Sequence, residues 1–240
     1  MIRELTLSVV GGLLLLGSAQ ATQIISFSEV NGTNDFTLSN NGTSNSFTAT
    51  SLINVTLYNA STIANGTTYQ AEIGIAGDMS TASGTLVGGT VTQNQFQNGV
   101  ISILLTSGPF AGEYLLAATF GNSAGLNSAM SGQSNGSSAT FSSSDNPGNY
   151  AEVAFVSGFW NILGPSQNGI SAVSFSLSNL SSGLSLDNGT PDLLNAFTAG
   201  GSGVFSATLQ QNPTPEPGTL GLLGVAMVGL GLLGRKRIRR

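Results

Sequence analysis

The residues that could carry chemistry in this 240-residue chain are carboxylates. The stretch from Thr22 to Thr214 has no Lys, Arg or His and contains nine acidic residues: Glu29, Asp35, Glu72, Asp78, Glu113, Asp145, Glu152, Asp187 and Asp192. The whole chain lacks Cys and His, which excludes disulfides, thiolate or imidazole metal sites, and cysteine or serine–histidine nucleophiles. Neither a Walker loop nor a dinucleotide fingerprint occurs. Carboxylate chemistry is what remains.

Two carboxylates can hydrolyse a glycosidic bond when a fold holds them at a suitable separation. No pair in this chain has a spacing that such chemistry demands, and Trp160 is the one Trp available as a sugar platform. We therefore predict that the protein is not an enzyme and that it has no catalytic residues and no cofactor. The alternative is a carbohydrate-active domain, and a two-carboxylate glycoside hydrolase is the weaker form of that alternative.

Two turn-rich segments concentrate oxygen ligands of the kind that calcium prefers. The first is Asp145-Asn146-Pro147-Gly148-Asn149 with Glu152 downstream, and the second runs from Asp187 to Asp192. Neither has EF-hand spacing, and Asp and Asn are ordinary turn residues. We therefore predict no metal ligand, while calcium-dependent glycan binding is the stronger form of the carbohydrate alternative.

An aromatic group could form a carbohydrate-stacking face. It consists of Phe155, Phe159 and Trp160 and stands beside strand-like sequence. Aromatic side chains in such a position belong more often to the core, so a core role is the favoured interpretation.

The elements that must position these residues have the two-residue period of β-strands. Apolar and polar residues alternate in three segments, 53–57, 69–75 and 173–178. Further strands are predicted at 23–30, 45–50, 85–92, 100–106, 113–120, 138–141, 151–156 and 203–210. The pattern predicts an all-β antiparallel sandwich of jelly-roll or immunoglobulin-like type over residues 22–209.

The breaks between the strands hold Asn-Gly pairs, which are typical of tight turns. They start at Asn31, Asn41, Asn65, Asn98, Asn135, Asn168 and Asn188. The Ser-, Gly- and Asn-rich stretch 121–144 is expected to contain a long loop, and residues 191–197 a short helical turn. Residues 210–214 are expected to be a linker.

The N-terminus has the layout of a secretory signal peptide. Arg3 precedes an apolar run from Leu5 to Gly17, and Ala19 and Ala21 form a small-x-small cleavage site. We predict a signal peptide at residues 1–21, cleaved after Ala21.

The C-terminus has the layout of a single membrane span. Residues 218–234 carry no charge and would span about 25 Å as a helix, at about 1.5 Å per residue. A basic tail follows, formed by Arg235, Lys236, Arg237, Arg239 and Arg240. Basic residues stay on the cytoplasmic side, so the stretch 22–217 is expected on the far side of the membrane.

The tripeptide Pro215-Glu216-Pro217 stands directly before that span. Two prolines keep the chain extended at this point, which suits the cleft of a processing enzyme. Pro-Glu-Pro, a Gly- and Leu-rich hydrophobic helix and an Arg-rich end, together at residues 215–240, resemble the PEP-CTERM sorting signal of exosortase substrates in Gram-negative bacteria. Thr214 stands where that family often has Val.

The resemblance implies export, a transient anchor in the inner membrane and recognition at Pro215-Glu216-Pro217 by an exosortase, a membrane transpeptidase. It also implies release to the cell surface or an extracellular polysaccharide matrix. We therefore expect a non-catalytic structural or adhesive envelope or matrix protein, with an exopolysaccharide as its partner. Nucleic acid is excluded as a partner, because the stretch 22–214 carries nine negative charges and no positive one.

Overall fold

The computed structural model describes residues 21–60, 63–96, 98–119, 128–145, 159–160 and 171–210. This part of the chain contains no helix and twelve β-strands. In chain order they are β1 (Thr22–Glu29), β2 (Phe36–Asn40), β3 (Asn45–Leu57), β4 (Thr67–Ser80), β5 (Thr85–Val87), β6 (Thr90–Asn94), β7 (Val100–Leu105), β8 (Tyr114–Thr119), β9 (Ser128–Gln133), β10 (Ser138–Asp145), β11 (Ser171–Ser178) and β12 (Phe197–Ala207). The prediction of an all-β antiparallel fold is confirmed.

All twelve described strands belong to one antiparallel sheet with the order β5-β6-β9-β10-β11-β12-β1-β3-β4-β7-β8. Strands β1 and β2 occupy the same position in the sheet, one after the other, because both pair with β12 on one side and with β3 on the other. All of these strands lie within residues 1–209, one of the two units into which the chain divides. The jelly-roll or immunoglobulin-like type of sandwich stays a prediction.

The sheet curls around a core rich in phenylalanine. Phe47 on β3 and Phe141 on β10 have ring centroids 5.2 Å apart, although three strand positions lie between their strands, which makes four interstrand spacings. Neighbouring strands are about 4.8 Å apart, so a flat sheet would hold these rings about 19 Å from each other. Phe175 on β11 contacts both rings and is fully buried. The two halves of the sheet therefore face one another across the core.

Alternation along the strands explains this arrangement. In β3 every second residue is buried, from Asn45 to Leu57, while the residues between them are exposed or half-buried. In β11 Val173, Phe175 and Leu177 point inwards. The core of the described residues extends from Ile24 to Ala207, so residues 22–209 contain all of it.

The structure refines the sequence-based expectations about local structure in three places. The segment 85–92 is a hairpin and not one strand, because Gly88 and Gly89, with φ of 58° and 82°, form a two-residue turn between β5 and β6. Within the stretch 121–144, Ser128–Gln133 form strand β9, whose one large apolar residue, Met130, is fully buried, while the long loop stays a prediction for residues 121–127, which lie outside the described residues. Strand β2 was not predicted. The predicted strand at 151–156 lies outside the described residues.

The short helical turn expected at 191–197 is wrong. Leu194 forms an isolated bridge with Leu186, and strand β12 begins at Phe197. The side chain of Gln93 accepts a hydrogen bond from the Leu194 N–H at 2.9 Å, and that of Asn45 donates one to the Leu194 carbonyl at 2.9 Å. These partners occupy the two backbone groups that a helix would need.

Candidate functional site

The sorting residues predicted from the sequence lie outside the described residues. This holds for Ala19, for Pro215-Glu216-Pro217, for the expected span 218–234 and for the basic tail with Arg235, Lys236, Arg237, Arg239 and Arg240. Ala21 is described and directly precedes strand β1. Among the residues that the structure describes, no helix is long and apolar enough to cross a membrane.

The segment from Asp187 to Asp192 uses its oxygens to hold the loop together. Asp187 Oδ1 accepts hydrogen bonds from the N–H of Gly189 at 2.8 Å and from that of Leu193 at 3.0 Å. Asp187 Oδ2 accepts one from Asn40 Nδ2 at 2.7 Å. Asp192 Oδ1 accepts one from the Asn188 N–H at 2.9 Å. Each of these oxygens already has a donor, so a cation would have to compete with them.

The hydrogen bonds to Asp187 also change the pKa of its carboxyl group. The hydrogen bond from the Asn40 side chain, followed by those from the N–H groups of Gly189 and Leu193, lowers the pKa of Asp187 below its ordinary value of 3.8. The carboxylate is therefore held in its charged form, as an acceptor that organises the loop.

The other candidate calcium segment is described only at its first residue. Asp145 ends strand β10 and pairs with Ser171, and residues 146–152 lie outside the described residues. No group of three or more acidic residues that could hold a metal ion occurs among the residues that the structure describes.

The half-buried Glu29 carboxylate also has a structural role. Its Oε2 accepts a hydrogen bond from the Gly201 N–H at 3.1 Å, and its Oε1 accepts one from Ser51 Oγ at 3.4 Å. These bonds connect the end of β1 to β12 and to β3. Glu29 therefore stabilises the sheet at the gap between the end of β1 and the start of β2.

Phe159 and Trp160 belong to the core, as the favoured interpretation predicted. Each side chain is 6% exposed. The Phe159 ring lies edge-on to Phe110 with centroids 5.1 Å apart, and Trp160 Nε1 donates a hydrogen bond to the Tyr58 carbonyl at 2.7 Å. Neither ring is available to stack on a sugar. Phe155, the third aromatic residue of this group, lies outside the described residues.

The structure reveals a surface that sequence reasoning missed, which we call the hydroxyl row. It is a line of exposed or half-buried side chains in direct cross-strand register, and none of them is charged. Its members, in order across the sheet, are Thr85, Thr92, Ser131, Thr140, Ser176, Ser202 and Ser28, followed by the amides of Asn54 and Gln70. Neighbouring members stand about 4.8 Å apart, the spacing between strands.

A shallow groove of about 370 Å³ lies over the middle of the hydroxyl row. Six of its nine lining residues carry a hydroxyl or amide side chain, namely Thr90, Ser131, Gln133, Ser138, Thr140 and Ser176, and Gly132, Ala139 and Leu177 complete the lining. Each hydroxyl can both donate and accept hydrogen bonds, and the lining has no charge. Such a groove suits a neutral ligand rich in hydroxyl groups. The sequence signal was Ser or Thr at alternate strand positions, as at Ser174, Ser176 and Ser178.

Comparison with known proteins gives one positive finding. Residues 213–240 match the family model described as the PEP-CTERM protein-sorting motif. No curated protein and no solved structure matches the chain. The match begins two residues before Pro215 and includes the whole basic tail. The chain therefore carries a PEP-CTERM protein-sorting motif at residues 213–240, which implies recognition by an exosortase and an extracellular destination.

Proposed function

We propose that the protein is a non-catalytic structural or adhesive component of the envelope or extracellular matrix of a Gram-negative bacterium. It crosses the inner membrane, is held there transiently by residues 218–234, and is processed near Pro215-Glu216-Pro217 by an exosortase. The mature domain then reaches the cell surface or a polysaccharide matrix.

The observation that carries this proposal is the match of residues 213–240 to the sorting motif. Composition supports the non-catalytic role, because the stretch 22–214 has no His, Lys, Arg or Cys. Among the described carboxylates, those of Asp187 and Glu29 accept hydrogen bonds that hold loops and strands together.

Replacement of Pro215, Glu216 and Pro217 by Ala tests the sorting step in the native host. We expect the variant to stay in the inner membrane at full mass, while the wild-type domain is released in a shorter form. The matched control replaces Gln210, Gln211 and Asn212 by Ala, which alters the same length of chain just before the motif. Release of the Pro-Glu-Pro variant at the wild-type rate would contradict the proposal.

A second candidate function, carbohydrate binding, is favoured by the hydroxyl row and its groove. The adhesive contact would then be a neutral polysaccharide chain that exchanges hydrogen bonds with Ser131, Thr140 and Ser176. A polyanionic chain fits less well, because the domain carries only negative side-chain charges. A calcium-dependent site and a two-carboxylate hydrolase have weaker support.

The triple variant Ser131→Ala, Thr140→Val and Ser176→Ala tests this candidate in residues 22–209. It removes three hydroxyls from the groove, so we expect the affinity for a neutral polysaccharide to fall about tenfold or more, measured by calorimetry. The matched control is Thr56→Val with Thr68→Val, a hydroxyl pair 2.9 Å apart elsewhere on the sheet. Equal loss of binding in both variants, or binding by neither parent nor variant, would refute the assignment.

A further inference from the structure

The Asn-Gly pairs of this chain differ in what the glycine N–H does. In four described pairs it donates a hydrogen bond. The acceptors are Asn40 Oδ1 for Gly42 at 2.7 Å, the Leu57 carbonyl for Gly66 at 2.8 Å, the Gln133 carbonyl for Gly136 at 2.9 Å and Asp187 Oδ1 for Gly189 at 2.8 Å. Each of these four backbone nitrogens is therefore held in place by its acceptor.

The pair Asn31-Gly32 is different. Both residues are exposed, and Gly32 adopts φ of 58° in the connection between β1 and β2. Its N–H donates no hydrogen bond within the described part of the chain. Apart from its two chain neighbours, no residue has an atom within 4 Å of the position that a Gly32 Cβ would take; this holds for Gly42 and Gly66 as well, so the missing hydrogen bond is what distinguishes Gly32. In the pair Asn98-Gly99, by contrast, the glycine is buried.

We propose that Asn31 is a site of spontaneous deamidation in the folded protein. The backbone nitrogen of Gly32 attacks Cγ of the Asn31 side chain, and a new N–Cγ bond forms. The Cγ–Nδ2 bond breaks, and the amide leaves as ammonia with the proton lost by the Gly32 nitrogen. Water then opens the resulting succinimide on either side and gives aspartate or isoaspartate.

The hydrogen bonds explain why the reaction selects this pair. The attacking nitrogen must lose its proton and turn towards the side chain, and an N–H that is bonded to an acceptor first has to break that bond. Gly32 has no such bond to break. In Asn41, Asn65, Asn135 and Asn188 the reaction must wait for a local opening of the structure.

The reaction would change the surface of the domain. It adds a carboxylate to the connection between β1 and β2, which begins after Glu29 and contains Asp35, and so raises the number of negative side chains in the stretch 22–214 from nine to ten. The isoaspartate product also lengthens the backbone by one carbon. Strands β1 and β2, held on both sides by β12 and β3, flank the change.

The experiment ages residues 22–209 at neutral to mildly alkaline pH and follows each Asn-Gly pair by peptide mass spectrometry. Chymotrypsin and glutamyl endopeptidase supply the peptides, because this stretch has no Lys or Arg for trypsin. We expect Asn31 to react about tenfold faster than Asn41, Asn65, Asn135 and Asn188. In urea all five should react at similar rates. Equal rates in the folded protein would overturn the proposal.

A variant tests the cause. Asn40→Ala removes the acceptor of the Gly42 N–H, so Asn41 should react faster than in the wild type, while Asn65 and Asn135 stay slow. Asn41 should still react more slowly than Asn31, because Asn41 Oδ1 keeps the hydrogen bonds that it accepts from the N–H groups of Thr43 at 2.9 Å and Ser44 at 2.8 Å. Asn31→Gln should abolish the fast phase. If the rate at Asn41 is the same in a folded Asn40→Ala variant as in the wild type, the hydrogen bond of the Gly42 N–H does not protect Asn41, and the proposal fails. If that variant does not fold, the wild-type comparison still decides.

Discussion

Asp187 illustrates how a single residue connects distant parts of the chain. Its carboxylate receives hydrogen bonds from Asn40, which ends strand β2, and from Gly189 and Leu193 in its own loop. Asn40 Nδ2 also donates to the Leu194 carbonyl at 3.0 Å. The charged carboxylate accepts these bonds better than the neutral acid does, which is why its pKa is lowered.

The lowered pKa of Asp187 should be visible in how the stability of the protein depends on pH. Because the folded-state pKa lies below the ordinary value of 3.8, the stabilisation by Asp187 is fully present above that value and is lost as the pH falls through the folded-state pKa. We compare the wild type with Asp187→Asn, which keeps an oxygen acceptor but has no charge. The difference in the free energy of unfolding should be constant near neutral pH and shrink below about pH 4.

The comparison is made by urea unfolding at a series of pH values. Asn40→Ala serves as the control background, because it removes the first donor to the carboxylate. In the Asn40→Ala background, the difference in the free energy of unfolding between Asp187 and Asp187→Asn should be smaller at neutral pH. A difference that grows towards acid pH would contradict the assignment.

Among the strands, β12 has the central position and packs against the aromatic core. It pairs with β11 along one side and with β1 and β2 along the other, so it lies in the middle of the described sheet. Glycines make this position compatible with the aromatic core. A Cβ at Gly201 would lie 2.4 Å from the Phe36 ring, and one at Gly203 would lie 2.5 Å from the Phe175 ring. The absence of a side chain gives the rings their space.

Gly203→Ala should therefore destabilise the domain. The added methyl would also lie 2.6 Å from the Ser174 carbonyl, which belongs to the backbone of a paired strand and cannot simply rotate away. We expect a loss of about 1–3 kcal/mol in the free energy of unfolding, typical of overpacking. Denaturant unfolding measures it.

Gly74→Ala is the matched control. Gly74 also lies in a strand, but the nearest atom to its added Cβ would be the Ser102 side-chain oxygen at 3.1 Å. A small shift of that hydroxyl relieves the contact, so the loss should be much smaller. Equal losses at the two glycines would show that the contacts with the Phe175 ring and the Ser174 carbonyl do not set the effect.

The whole molecule is defined by its distribution of charge. The nine carboxylates of the stretch 22–214 have no basic side chain to pair with, whereas the last six residues contain five of the six basic residues of the chain. Removal of the sorting motif and of the predicted signal peptide, which contains the sixth basic residue, Arg3, would leave a domain in which all side-chain charges repel one another. Such self-repulsion opposes the compact state and is screened by salt.

Salt should therefore stabilise residues 22–209. Between about 0.01 M and about 0.15 M potassium chloride we expect the free energy of unfolding to rise by about 1 kcal/mol, as the Debye length falls from about 30 Å to about 8 Å. Glu72→Gln with Glu113→Gln lowers the charge by two and should reduce the slope. Thermal unfolding followed by circular dichroism measures the salt dependence of stability for the parent domain and for the double variant. A fall in stability with salt would contradict this account.

Much of this protein could be predicted from residues that are close in sequence. The two-residue period marked most of the described strands, and the Asn-Gly pairs marked the turns at Asn31, Asn41, Asn65, Asn98 and Asn135. The absence of His and Cys excluded whole classes of chemistry. The order of Pro-Glu-Pro, apolar run and basic tail predicted the sorting motif, which the family match confirms. Each of these signals is local.

The tertiary structure decided what depends on distant partners. Strand β9 has few large apolar residues and is stabilised by β6 and β10 on its two sides. Leu194 is extended because Gln93 and Asn45 bind its backbone. The hydroxyl row exists only because strand registers bring Ser131, Thr140 and Ser176 side by side. Sequence by itself determined which faces of the strands are apolar, whereas cross-strand pairing between residues far apart in the chain decided which faces meet.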